Sequence, residues 1–170
     1  MEQELSQKEL FRLLQELRQG KFSSDEIYNA LVDFGGMHFL EARPDVERLL
    51  HHEDQQVRYM ALNVLTLDWH LKEYWKTALD VLEHDPDDDN RLRAATVLDA
   101  LKKNTGDPLV LRALARVVRN ENENEFVRKA AYHAMQSILH DPTPRERLER
   151  LRKPFDPVKD VDWDMVNAYL

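Results

Sequence analysis

The chain has 170 residues, 42% hydrophobic and 33% charged, with no cysteine, four glycines and a net charge of −8. That length and apolar content support a packed core and exclude a disordered chain. The missing cysteine excludes a disulfide scaffold, a thiolate-bound zinc and a cysteine nucleophile, and so few glycines argue against a turn-rich sheet fold or a glycine-rich phosphate loop.

The first residues, MEQELSQKELFRLL, are acidic and mixed, and so do not form a secretory signal. No apolar run approaches the ~20 residues a membrane helix needs, and the expectation is a cytoplasmic protein. Leu10, Leu13, Leu14 and Leu17 recur at helical spacing and predict a helix over 5–19. Ser23-Ser24-Asp25-Glu26 is a helix start with acids in the first turn. It opens a predicted helix over 24–34 that carries Ile27, Leu31 and Phe34, and Gly35-Gly36 is expected to end it. No alternating strand of useful length occurs, so the fold class is all-α.

A repeat follows. Arg58, Arg93 and Arg128 stand 35 residues apart. Asp54, Asp89 and Asn124 each lie four residues before one of them, and Val57, Leu92 and Val127 lie directly before. Small residues follow: Ala61, then Ala94 and Ala95, then Ala130 and Ala131. Each copy is preceded by a second apolar helix, carrying Val46, Leu49 and Leu50, then Ala78, Val81 and Leu82, then Leu114, Val117 and Val118. Each unit is therefore helix, turn, helix. The Asp or Asn is predicted to cap the second helix, and the small residues let neighbouring helices approach. One pair cannot bury its apolar face alone, so pairs must stack.

Over roughly residues 38–140 this pattern resembles the HEAT-repeat family, including its bacterial HEAT-like relatives. The resemblance implies a right-handed α-α superhelix, a solenoid of stacked helical hairpins. It implies that Asp54, Arg58, Asp89, Arg93, Asn124 and Arg128 form a structural ladder between repeats, with Asn124 departing from the acidic consensus. The N-terminal pair, 5–34, lacks the Asp and Arg, as a terminal cap would. The expected organisation is one solenoid domain over 1–153, closed by a helix at 143–153, then a tail at 154–170. Asp141-Pro142-Thr143-Pro144 is a turn, and Pro144 opens the closing helix. In the acidic, aromatic tail, Val161, Trp163, Val166 and Leu170 can form a short apolar face. Two readings stay open: the tail caps the last repeat, or it is a partner-binding or autoinhibitory segment.

Charge is uneven. Residues 1–53 carry 6 basic and 11 acidic residues, 54–90 carry 3 and 9, and 91–120 carry 7 and 2. The basic island contains Arg93 together with Arg91, Lys102, Lys103, Arg112, Arg116 and Arg119. It is either a solvated face balanced by acidic neighbours or a patch for an acidic or anionic partner. Nucleic acid is the weakest partner, because a net-negative chain repels phosphate backbones.

No chemistry-bearing constellation emerges. HEAT-like deoxyhypusine hydroxylases bind iron through His-Glu dyads in their second helices. Here the one dyad, His52-Glu53, falls in a turn, and the helix positions hold Tyr59-Met60, Ala94-Ala95 and Lys129-Ala130. The run Asp85 to Asp89 lacks the spacing of a calcium loop. The expectation is no metal, no cofactor and no catalysis. The stretch from Asp68 to Trp75 is a candidate recognition cluster through Trp69, His70 and Trp75, though such aromatics also pack well between helices. Tyr59, Asn63, Lys129 and His133 sit off the apolar stripe and line the concave face if the array curves as its relatives do. The function expected is a protein–protein interaction module or scaffold. The alternatives are a tetrapyrrole chaperone resembling the HEAT-like phycobilin lyases, and a small acidic inhibitor or immunity protein of a basic partner.

Overall fold

Ten α-helices run through the residues described by the computed structural model, which are 5–140, 143–152 and 154–170, with no strand among them. Asp141 and Pro142 of the predicted turn, and Lys153 at the predicted end of the closing helix, lie outside the described residues. The chain divides into two compact units, Met1–Tyr74 and Trp75–Leu170.

In the first unit α1 spans Gln7–Arg18 and α2 spans Ser24–Gly36. Each starts under a capping box, Ser6 with Glu9 and Ser23 with Glu26, in which serine and glutamate satisfy amides that the helix itself leaves open. Leu10 and Leu14 of α1 are buried against Ile27, Leu31 and Phe34 of α2 in one core cluster. A 3-10 turn, Leu40–Ala42, leads into α3, Arg43–Leu49. The next helix, α4, spans Gln55–Asn63 and widens without a break into a π-helical turn, Val64–Asp68. α2 packs on both α4 and this turn.

The glycine pair does not end α2. Both glycines are helical, and Gly35 is where α2 meets the π turn: a Cβ there would collide with the Asp68 carboxylate and crowd Val64. The helix ends instead through His38, which takes a left-handed φ of 49°. His70 after the π turn (φ 54°) and Asn104 (φ 56°) do the same.

Two ion clusters hold this unit's edge. Asp45, 3% exposed, receives Nε and Nη2 of Arg18, at 3.1 and 2.8 Å, together with the Arg48 guanidinium. Arg43 Nε donates to Tyr74 Oη at 2.8 Å and to Glu47 at 3.0 Å, while the Tyr74 hydroxyl donates to Glu47.

In the second unit the helices are α5 (Trp75–His84), α6 (Asp88–Lys102), α7 (Pro108–Arg119), α8 (Glu125–Leu139), α9 (Pro144–Arg152) and α10 (Trp163–Asn167). α6 packs between α5 and α8, and α7 packs on α8. The core is aliphatic, built from Leu82, Leu98, Leu111, Leu114, Met135 and Ile138. After α6 the chain turns so that the amides of Asn104 and Gly106 donate to the carbonyls of Ser137 and Ile138, both at 2.9 Å. This satisfies carbonyls that the end of α8 would otherwise leave open.

The caps correct the repeat register. The second helices α2, α4, α6 and α8 are capped by Ser23, Asp54, Asp87 and Asn124. Asp89 is not a cap; it lies in the first turn of α6, where its amide donates to Asp87 at 3.1 Å. The caps stand 31, 33 and 37 residues apart, so the even 35-residue spacing of the arginines is not the structural period. Four residues after their caps stand Arg58, Arg91 and Arg128, with Arg93 two places beyond. Arg58 Nη1 donates to His52 O (2.9 Å) and Arg91 Nη1 to Asp85 O (2.8 Å), each two residues before the cap. The slip has a physical source. The buried position held by Val57 and Val127 is held in α6 by Asn90, whose amide donates to Asp85 at 3.2 Å. A hydrogen-bonded amide has replaced the aliphatic marker.

In this register every second helix carries a buried alanine seven residues after its cap: Ala30, Ala61, Ala94 and Ala131. Helices whose axes approach to about 8–10 Å leave little room for a larger side chain at the crossing. The N-terminal pair thus obeys the same frame as the others.

Candidate functional site

Within each unit a rung links the two second helices, from the first turn of one to the cap of the next. In the first unit the Ser24 side chain hydrogen bonds Asp54. That carboxyl is held below its usual range, first by the Gln56 amide and further by Val57 and Ser24. In the second unit Asn124 Nδ2 donates to Asp88 at 2.8 Å. Beside it Arg91 grips Glu123 through Nε (3.1 Å) and Nη2 (2.8 Å), and Glu123 is the main cause of the raised pKa of Arg91.

With the frame occupied, the outward positions follow. Five and nine residues after the caps stand Tyr28 and Val32 on α2, and Tyr59 and Asn63 on α4. The corresponding residues are Leu92 and Thr96 on α6, and Lys129 and His133 on α8. All eight are half-buried or exposed, with Val32 at 45%. Tyr59, Asn63, Lys129 and His133 therefore share one register. Tyr28 and Val32 belong to it and were missed; counting from the Ser23 capping box finds them.

The tryptophan cluster comes apart. Trp69 is 5% exposed, and its indole N–H donates to Phe34 O at 3.1 Å, so it is a core residue of the first unit rather than a contact surface. His70 is exposed, 6.4 Å from the His38 ring. Trp75 opens the second unit half-buried, with the Lys102 ammonium 3.6 Å above its ring.

The basic island also divides. Arg91 is committed to Glu123 and Asp88, and Lys102 to Asp107 (2.8 Å) and the Trp75 face. Arg112, Arg116 and Arg119 are exposed along one side of α7, Arg116 standing 3.8 Å from Glu83 and Arg119 donating to Asn167 at 2.6 Å. Lys103 is exposed at the end of α6.

The tail returns over the last pair. Val161 and Val166 are buried, α10 packs on α7, and the Asp162 amide donates to Tyr132 Oη at 3.0 Å. Phe155 lies 6.1 Å from the Tyr132 ring and 6.3 Å, edge-on, from His133. Between tail and helix a cavity of about 150 Å³ is lined by Lys129, Tyr132, His133, Gln136, Phe155 and Asp160, with Pro154 at its side.

A family model for HEAT repeats matches residues 76–161, half of the chain. The chain belongs to the HEAT-repeat family. No curated protein matches it. HEAT repeats generally mediate protein–protein interaction or scaffolding, and proteins built from them are typically non-catalytic. The buried alanines and the cap-to-first-turn hydrogen bonds recur in both units of this HEAT chain. Among the described residues no group of three or more His, Asp or Glu is placed to hold a metal ion. No described helix is long and apolar enough to cross a membrane.

Proposed function

We propose that this protein is a non-catalytic interaction module that binds a protein partner on the outward faces of its second helices. The observation that carries this reading is the division of labour within those helices. A cap and a buried alanine recur in every second helix and an arginine in three of them, while the positions five and nine after each cap are half-buried or exposed and carry a different pair of residues in each helix. A surface carried on ordered helices loses little conformational entropy on binding.

Affinity capture of partners by the wild-type chain, compared with Tyr59→Glu and Lys129→Glu, tests the reading. Both variants should keep their helical circular dichroism, and at least one should lose the captured partner by about tenfold or more, as truncation of a central contact does. Undiminished capture by both variants would sink the proposal. A second reading, an acidic partner held along Arg112, Arg116 and Arg119, is favoured by the exposure of that stripe. In that case capture falls steeply with salt and survives Tyr59→Glu.

A further inference from the structure

The tail does not lie on the last HEAT pair with uniform tightness. From Val161 to Asn167 it is anchored: Val161 and Val166 are buried, and Asn167 accepts from Arg119. From Pro154 to Asp160 it is not. Phe155 is half-buried, Val158 is 80% exposed, and the cavity of about 150 Å³ remains beneath this part. The loose part crosses Lys129 and His133, the two residues that stand in the outward register of α8.

We infer that residues 154–160 are an intramolecular occupant of the α8 part of the binding face. The partner segment taken there has the same chemistry, an aromatic ring followed within a few residues by carboxylates. This rests on the reading of the second-helix faces as the binding surface. Three observations select the occupant. The Tyr132 ring and the His133 edge already receive a phenyl group at 6.1 and 6.3 Å. Lys129 and Asp160 line the same cavity, one residue of each charge from helix and tail. The cavity left beneath the tail shows that the cis segment fills the face incompletely, so a better-fitting segment in trans gains contacts there that the tail leaves unmade.

A tethered segment acts at an effective concentration in the millimolar range, so a free segment must outcompete it. Loosening the cis contact without touching the anchor therefore opens the site. Phe155→Ala does this, because Val161 and Val166 remain in place.

The probe is a fluorescein-labelled peptide of residues 154–163, PFDPVKDVDW, titrated by anisotropy into full-length chains. Phe155→Ala should bind it about tenfold or more tightly than wild type, as removal of a tethered competitor requires. Adding Lys129→Glu should abolish the gain, and a peptide with alanine in place of its phenylalanine should not bind. Circular dichroism and thermal melts establish that each chain is folded. Should Phe155→Ala melt early, Phe155→Leu replaces it; that variant removes the ring but keeps an apolar side chain, leaves the Asp162–Tyr132 hydrogen bond of the anchor in place, and should show a smaller gain. Equal binding to wild type and to the loosened chain, or binding to neither, overturns the inference. Loss of partner capture by Tyr59→Glu in that event leaves the interaction module standing and removes only the tail's role.

Discussion

The two units use one frame to present unlike surfaces. In the first, α2 and α4 carry half-buried Tyr28, Tyr59 and Asn63 and exposed Val32 around a core rich in aromatics, Phe34, Phe39, Trp69 and Tyr74. In the second, α6 and α8 carry half-buried Leu92, Lys129 and His133 and exposed Thr96 over an aliphatic core, and part of that face lies under the tail. The cap and the buried alanine recur helix for helix, whereas the face positions of one unit share no residue type with those of the other. On the proposed reading, register and recognition are written on separate residues, and either can change without the other.

Matched substitutions test that separation. The largest effects belong to the core position eleven residues after the cap. Phe34→Ala in the first unit should cost about 3–5 kcal/mol and Leu98→Ala in the second about 2–5 kcal/mol, since each leaves a cavity at a fully buried site. Denaturant titration measures both, and a loss below ~1 kcal/mol at either would break the equivalence of the two frames.

The caps give the intermediate effect and decide the register. Asp54→Ala and Asp87→Ala should each cost about 1 kcal/mol, because each exposes two amides of a first turn. Asp89→Ala should stay within about 0.5 kcal/mol, as a surface change outside any cap does. Equal losses at Asp87 and Asp89 would restore the 35-residue period.

Another effect appears only in alkali and centres on Tyr74 of the first unit. Burial, with Glu47 adding to it, pushes the Tyr74 hydroxyl from 10.0 up to about 12. A raised folded pKa means that the stabilisation is complete below the unfolded value and is lost as pH rises toward the folded one. Wild-type stability should therefore fall between about pH 10 and 12 by more than that of Tyr74→Phe, which has no proton to lose. Parallel curves for the two chains in pH-dependent melts would refute the assignment.

Helix content and hairpin order were legible because burial imposes a 3.6-residue period on Leu10, Leu14, Ile27, Leu31 and their successors. The α8 cap was legible because Asn124 sits where a helix start must have an acceptor. The α6 cap was not, because Asp87, Asp88 and Asp89 are all competent caps and only Asn90, a buried amide at an aliphatic position, separates them. Trp69 could not be placed, since its burial depends on the Phe34 carbonyl 35 residues away. Tail contacts with Tyr132 and His133 leave no local mark in the chain at all.

His38, His70 and Asn104 follow three of the four second helices in a left-handed conformation that costs a side-chain-bearing residue roughly 1 kcal/mol or more relative to glycine. The scarcity of glycine therefore has an energetic meaning. The chain keeps a reserve of unclaimed stability at three addresses, and an engineer who needs a hardier scaffold can draw on it one residue at a time without entering either the frame or the face.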